Sequence, residues 1–268
     1  MSIKKLESQK AVFFDIGSTL VEGPEISPAK YITRLLELPV GESSRLGQLI
    51  MCREYKGWEE LCCDLDESFR PLTDQQEAEI ARLWEGQETA ASEINEATAV
   101  VARFAGEGYQ VGLVSNIWAP YYRSFLKACP EIARISGCAA LSFQTGKKKP
   151  SFALLKKGLS VLGADPQRSI MIGDTYLEDI LPAMELGLKT IWVLCRPERE
   201  KRAADQVQKG NWPPPDLTVS RIGELLKTDL TLFNKLYTGG RFLCINQQVS
   251  ERDRASLDIV KKKKQDEE

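Results

Sequence analysis

The stretch Ala11-Val12-Phe13-Phe14-Asp15-Ile16-Gly17-Ser18-Thr19-Leu20 decides the fold of this 268-residue chain. Four consecutive apolar residues predict a buried strand, and small residues after the aspartate predict a loop. A carboxylate presented at the end of a buried strand is suited to attack phosphorus and accept a phosphoryl group. Asp15 is therefore a candidate nucleophile, although the pattern alone fits equally well an aspartate that caps the loop.

Two later segments carry groups that can bind phosphate. The apolar strand 111–114 ends at Ser115 and Asn116, where a hydroxyl and free backbone amides can hold phosphate oxygens. A basic turn further on contains Lys149, directly before a proline, and its ammonium adds a positive charge. Lys148 is the alternative if the alignment of this turn is shifted by one residue.

A second pair of carboxylates follows another apolar strand, 170–173. Asp174 ends that strand, and Asp179 lies five residues further on. Carboxylate oxygens are the ligands that Mg²⁺ prefers, and an ion bound here would bridge these groups to Asp15 and to a phosphate. Asp179 also fits an N-cap of the following helix, and the two roles are compatible.

In this order, the four segments resemble the haloacid dehalogenase (HAD) superfamily, most of whose members are Mg-dependent phosphatases. The resemblance covers roughly residues 10–225. It implies that Asp15 forms an aspartyl phosphate, that the backbone carbonyl of Gly17 is a further metal ligand, and that Lys149 orients the phosphate. The chain departs from the family at Gly17, where most of the phosphatases carry a second aspartate that acts as general acid and base.

Alternating helices and short apolar strands after residue 91 predict an α/β fold, a Rossmann-like parallel sheet with helices on both faces. Between the first strand, 11–14, and the next strand of this sheet the pattern is helical throughout, and the resemblance implies an inserted all-helical cap of the first type. In this helical block, Thr73 and Gln76 have the spacing of a capping box. Further along, we predict a helix over 179–186 and an edge strand over 217–219.

These patterns predict three parts of the chain: a HAD-like core of 1–21 and 92–229, a helical cap of 22–91, and a C-terminal extension of 230–268. The extension contains a candidate strand at 242–245 and ends in a charge run, 261–268, that we expect to be disordered.

Composition narrows the chemistry. The chain contains no histidine, which excludes Ser-His-Asp and Cys-His catalysis and histidine-bound metals. Its seven cysteines form no Cys-x-x-Cys pair and its net charge is −2, so we expect neither a disulfide framework nor a nucleic-acid partner. With no apolar segment of membrane-spanning length, we expect a soluble, cytoplasmic protein; the oligomeric state is left open.

The motifs indicate a Mg²⁺-dependent phosphatase of a small phosphorylated metabolite, slowed by glycine at position 17 because general acid–base assistance is typically worth about 10²–10⁴ in rate. Glu22 and Tyr176 are candidate substitute proton donors. The alternative is a catalytically weakened HAD-like binding or regulatory protein. A dehalogenase or a phosphonatase is a minor alternative, the latter with Lys30 as a weak candidate for the lysine that it needs.

Overall fold

The structure of the protein is a computed structural model, and it describes residues 9–23, 26–39, 41–231 and 233. The candidate strand at 242–245 and the charge run at 261–268 lie outside the described residues. The strands are β1 Ala11–Phe14, β2 Val21–Glu22, β3 Ser92–Glu93, β4 Gln110–Ser115, β5 Cys138–Leu141, β6 Ile170–Gly173, β7 Lys189–Val193 and β8 Leu217–Val219.

Helices account for most of the remaining described elements. Short 3₁₀ turns cover Pro166–Arg168 and Ile222–Leu226, and a π-helical turn covers Tyr176–Ile180. The α-helices are α1 Pro28–Leu35, α2 Glu42–Met51, α3 Trp58–Ser68, α4 Asp74–Gln87, α5 Ala97–Gly106, α6 Ala119–Ala128, α7 Pro130–Ile135, α8 Ser142–Thr145, α9 Ala153–Leu162, α10 Leu181–Glu185 and α11 Pro197–Gln208.

Six of the strands form one parallel sheet in the order β5-β4-β1-β6-β7-β8. The predicted α/β fold is confirmed, and so is the edge position of the strand at 217–219. Because β1 lies between β4 and β6, the residues that follow these three strands meet at one edge of the sheet.

Side chains of β1 alternate between the two faces of the sheet, as the period of a strand requires. Phe13 packs with the apolar residues of α9, whereas the ring of Phe14 lies edge-on to Phe104 of α5, with the ring centroids 5.8 Å apart. Both phenylalanines are fully buried. The continuous apolar run at 11–14 thus reflects a strand covered by helices on both sides.

Four helices, α1 to α4, lie between β2 and β3. These two short strands pair antiparallel, with Val21 opposite Glu93, so the chain enters and leaves the helical block side by side. Two residues per strand are too few for a recognisable sequence pattern, and this ribbon was not predicted. The capping box at the start of α4 is confirmed, since Thr73 and Gln76 exchange both hydrogen bonds. The domain boundaries at residues 22 and 91 stay predictions.

The helix predicted over 179–186 is confirmed over 181–185, but helical structure begins before residue 179 and its first turn is not α-helical. The chain enters the π-helical turn at Tyr176, and α10 begins only at Leu181. The Asp179 carboxylate accepts a hydrogen bond from the backbone N–H of Thr175 at 3.0 Å, which organises this turn before residue 179. No helix within the described ranges is long and apolar enough to cross a membrane.

The packing around Phe13 gives a test of the core. A Cβ at Gly158 of α9 would lie 2.7 Å from the Phe13 ring, whereas a Cβ at Gly86 of α4 would meet nothing within 4 Å. We expect Gly158→Ala to lower the free energy of unfolding by about 1–3 kcal/mol through overpacking. Gly86→Ala, the matched control, should raise it by about 0.5–1 kcal/mol. Urea denaturation measures both, and a Gly158→Ala variant as stable as wild type would contradict this account.

Candidate active site

Asp15 lies at the carboxyl end of β1, in the middle of the sheet. Its backbone N–H donates to the carbonyl oxygen of Ile172 on β6 at 2.9 Å, so the hydrogen-bond pattern of the sheet extends one residue beyond the strand. Asp174 follows β6 directly, and both carboxylates are buried. The structure thus brings together the two aspartates that follow neighbouring strands.

The Lys149 ammonium joins this edge of the sheet to the turn before α9. Its Nζ lies 2.6 Å from Oδ1 of Asp15, 2.6 Å from Oδ1 of Asp179 and 3.1 Å from the carbonyl oxygen of Val114. Burial alone would lower the pKa of Lys149, but the carboxylates of Asp15 and Asp179 raise it above its usual value. The lysine therefore stays a cation, and Lys149 rather than Lys148 is the residue of the turn that reaches the cluster.

Asp179 lies one turn beyond Asp174 and is 1% exposed. One of its carboxylate oxygens accepts from the backbone of Thr175 and the other accepts from Lys149. Its pKa is raised well above the usual value because burial, and the nearby Asp15 and Asp174, outweigh the opposite effect of Lys149. The side chain thus organises the turn and also belongs to the charged cluster.

Asp174 has a second cationic neighbour, Arg196, whose guanidinium contacts its carboxylate. Burial and the charge of Asp15 raise the pKa of Asp174 to about 6, against the opposing effect of Arg196. Sequence reasoning missed Arg196. The available signal was its position shortly after β7, the strand next to β6.

The cluster can hold a cation. One carboxylate oxygen from each of Asp15, Asp174 and Asp179 lies within 4.8 Å of the others. When all three are ionised, the two basic side chains, Lys149 and Arg196, leave a net negative charge. Oxygen donors of this kind suit a hard divalent ion.

Asn116 holds the Lys149 backbone in place. Its Oδ1 accepts from the Lys149 N–H at 2.6 Å, and its Nδ2 donates to the Lys149 carbonyl at 3.0 Å and to Glu178 at 3.1 Å. The side-chain amide of Asn116 is thus engaged within the protein. Ser115, the last residue of β4, is buried at the same edge.

Gly17 lies in a tight loop after Asp15. The N–H of Ser18 donates to the carbonyl oxygen of Val21 at 2.7 Å, and Ser18 has a positive φ of 59°. A Cβ at Gly17 would meet nothing within 4 Å. The absence of a side chain at Gly17 is therefore not forced by packing.

A cavity of about 830 Å³ opens beside the cluster. The four clustered residues themselves are not in its lining, which instead includes their neighbours Gly17, Ser115, Asn116 and Arg196. The helical block contributes lining residues from several of its segments, among them Ser27, Met51 and Gln87. The space between the sheet edge and the helical block is therefore where a ligand fits.

The remaining candidates from the sequence fall into different places. Glu22 lines the cavity, whereas Lys30 is exposed on α1 and lies outside the lining. Tyr176 is wrong as a substitute proton donor: it is fully buried, and its hydroxyl donates to the carbonyl oxygen of Pro213 at 2.6 Å.

Two aromatic side chains after β4 connect the sheet to the rest of the cavity wall. The indole N–H of Trp118 donates to Gln87 at the end of α4 at 3.0 Å. The Tyr121 hydroxyl donates to the carbonyl oxygen of Glu22 at 3.0 Å, and burial, then the charge of Asp15, raise its pKa to about 12. Both bonds hold the helical block and the β2–β3 ribbon against the core.

Several known proteins are similar to this chain in sequence. The family described as HAD-hydrolase-like matches residues 146–225. The glyceraldehyde 3-phosphate phosphatase of Pyrococcus furiosus is 27% identical over 199 residues, which cover 68% of this chain and 80% of that protein. The protein of the same name from Methanothermobacter thermautotrophicus is 28% identical over 134 residues, 48% of this chain and 56% of that one.

Solved structures share the fold. A HAD phosphatase from Thermococcus onnurineus superposes with a TM-score of 0.52 at 17% identity, over 82% of this chain and 97% of that one. A HAD family enzyme from Bacteroides thetaiotaomicron, in complex with magnesium and inorganic phosphate, has a TM-score of 0.51 at 18% identity, over 68% and 92%.

The carboxylate cluster predicts how cation binding depends on pH. Because the pKa of Asp174 is raised to about 6, protons and a divalent cation compete for it as the pH falls through that value. The rise in melting temperature caused by MgCl₂ should be largest near pH 7.5 and smaller near about pH 5, because only the ionised carboxylate is a ligand. A rise in melting temperature that is equal at both pH values would contradict cation binding at these carboxylates. Asp74→Asn, which changes an exposed carboxylate on α4, is the control and should show the same dependence on pH as the wild type.

Proposed function

We propose that this chain, whose residues 146–225 match the HAD-hydrolase-like family, is a Mg²⁺-dependent phosphatase of a small phosphorylated metabolite. One observation carries the proposal: the ammonium of buried Lys149 contacts Asp15, beside the carboxylates of Asp174 and Asp179. A buried nucleophile, a fixed cation and two further carboxylates are the groups that phosphoryl transfer through an aspartyl phosphate requires. The similarity to glyceraldehyde 3-phosphate phosphatases supports a small phosphorylated substrate.

The donor set fits Mg²⁺, since buried carboxylate oxygens with a net negative charge are the ligands that this ion prefers. We assign Asp15, Asp174 and Asp179 as side-chain ligands and the backbone carbonyl of Gly17 as a further ligand. When bound, the ion cancels the repulsion between the anionic nucleophile and the anionic phosphate.

The reaction proceeds in two displacements. The Asp15 carboxylate attacks phosphorus, the bond to the leaving oxygen breaks, and an aspartyl phosphate forms. A water molecule then attacks that phosphorus, which releases inorganic phosphate and restores the carboxylate. Lys149 holds Asp15 in position and supplies charge to the transferred phosphoryl group, while the Ser115 hydroxyl and the backbone amide of Asn116 bind its oxygens.

Proton transfer is the step of this mechanism for which the site lacks the usual side chain. With glycine at position 17, no side chain there protonates the leaving oxygen or activates the water. Among the candidate substitutes only Glu22 remains, because Tyr176 is buried elsewhere. We therefore expect good leaving groups to react readily and alkyl phosphates to react slowly, since an alkoxide needs its proton more.

The glycine at position 17 also favours a second candidate function, a binding or regulatory protein that recognises a phosphorylated ligand without efficient turnover. In this second function the cavity and Lys149 bind the phosphorylated ligand, and no nucleophile is needed. The two functions differ in whether Asp15 is required for phosphate release. The first experiment below separates them.

The role of Asp15 is tested with p-nitrophenyl phosphate, whose leaving group needs little protonation. We expect Asp15→Asn to abolish Mg²⁺-dependent release of p-nitrophenol, because an amide of the same shape is not nucleophilic, while the far-ultraviolet circular dichroism stays that of the wild type. Asp74→Asn, on the exposed first turn of α4, serves as control and should retain activity. Undiminished release by Asp15→Asn would overturn the mechanism; a wild type that binds phosphate but releases no p-nitrophenol would favour the binding protein.

The role of the missing acid is tested with Gly17→Asp, which the open space at this position accommodates. We expect kcat for an alkyl phosphate such as glycerol 3-phosphate to rise by up to about a hundredfold, since general acid–base assistance is worth that or more. The rate with p-nitrophenyl phosphate should change far less. Equal or lower rates on the alkyl substrate would show that the proton is already supplied by another group.

A further inference from the structure

Two arginines lie along the cavity at the end of the sheet where β7 and β8 run side by side. Arg196 comes three residues after Val193, the last residue of β7, and Arg221 comes two residues after Val219, the last residue of β8. Val193 and Val219 are paired in these parallel strands, and both arginines line the cavity. Because paired strands lie about 4.8 Å apart, the two arginines follow neighbouring strands at the same edge of the sheet.

Arg196 has donors to spare. A guanidinium carries five N–H groups, and the contact with Asp174 is made through Nη2. The Nε of Arg196 is buried and has no acceptor among the described residues. A buried donor without an acceptor is costly, so its N–H is a place where a ligand oxygen would bind favourably.

Arg221 is exposed, and within the described part of the chain it forms no ion pair. Ser220, its neighbour, also lines the cavity. Among the lining residues the acidic one is Glu22, on β2, which does not belong to the six-stranded sheet. At this end of the cavity the charge of Arg196 is shared with Asp174, whereas Arg221 has no acidic partner among the described residues.

The order of the strands sets how far the backbone of the two arginines lies from the proposed phosphate site. Asp15, Ser115 and Asp174 follow β1, β4 and β6, whereas the arginines follow the next two strands outward. The backbone of β7 is two strand spacings from β1, about 10 Å, and the backbone of β8 is three spacings away, about 14 Å. The long arginine side chains can shorten these distances to a ligand. A ligand with its phosphate at Asp15 would thus reach the arginines with a group only a few bonds away.

We propose that Arg196 and Arg221 bind a second acidic group of the substrate, so that the preferred substrates are phosphomonoesters that also carry a carboxylate or a second phosphate. Arginine is suited to this role because its planar fork matches the two oxygens of either group. The inference rests on the proposed phosphatase function and names its substrate class. The substrate class proposed for this chain differs from the substrate in the names of its relatives. In glyceraldehyde 3-phosphate the end away from the phosphate is an uncharged aldehyde.

The test compares substrates that differ in one group. In the first pair, 3-phosphoglycerate carries a carboxylate where glycerol 3-phosphate carries an alcohol; in the second, fructose 1,6-bisphosphate carries a second phosphate that fructose 6-phosphate lacks. We expect kcat/KM to be at least about tenfold higher for the acidic member of one pair, which is the worth of a hydrogen bond to a charged group. The pair that shows the preference identifies the kind of acid.

Arg221→Gln is the decisive variant, because Arg221 is exposed and its replacement does not disturb the packed core. It should remove most of the preference for the acidic substrate, about tenfold. Arg199→Gln is the matched control, since Arg199 is an exposed arginine on α11 outside the cavity lining. This control should keep the preference. A preference unchanged in Arg221→Gln, or absent from the wild type in both pairs, would overturn the proposal.

A binding measurement makes the result independent of turnover. Calorimetry on the Asp15→Asn protein, with and without Arg221→Gln, measures affinity for 3-phosphoglycerate and for glycerol 3-phosphate. Tighter binding of the acid that depends on Arg221, without hydrolysis by the wild type, would support the anion site and overturn the phosphatase function. Asp15-dependent hydrolysis of p-nitrophenyl phosphate without any preference for acidic substrates would overturn only the anion site.

Discussion

The buried ammonium of Lys149 is the interaction on which the rest of the site depends. It bonds to Asp15 at the end of β1, to Asp179 beyond β6 and to the carbonyl of Val114 on β4. Burying a charge is costly unless it is paired and hydrogen-bonded, so the buried ammonium depends on all three of these segments. The central strands and the turn before α9 are thus linked by one cation.

That cation does not balance the cluster. Three carboxylates face Lys149 and Arg196, and burial together with the neighbouring carboxylates raises the pKa values of Asp174 and Asp179. This imbalance makes the site receptive to a divalent ion. Stability and proposed chemistry therefore depend on one electrostatic arrangement, as is common where pKa values are strongly perturbed.

Much of this could be predicted from the order of the segments. An apolar run that ends in Asp15, and another that ends in Asp174, are parallel strands whose carboxyl ends must meet at one edge, because the intervening helices return the chain to the opposite edge. The capping box at Thr73 was readable for a similar reason, since both of its hydrogen bonds are local. What escaped prediction was non-local: Arg196 has no motif, and Glu178 bonds to an asparagine 62 residues away.

The sequence by itself therefore determined the parallel α/β architecture, the helical block after the first strand and the three aspartates and the lysine at the sheet edge, because periodicity and strand ends are local properties. Only the tertiary structure decided which partner each charge has. It engaged the Asn116 side chain with the Lys149 backbone, removed Tyr176 from the cavity, and set Arg196 beside Asp174. These pairings depend on which strands are neighbours, and that order is a property of the folded chain.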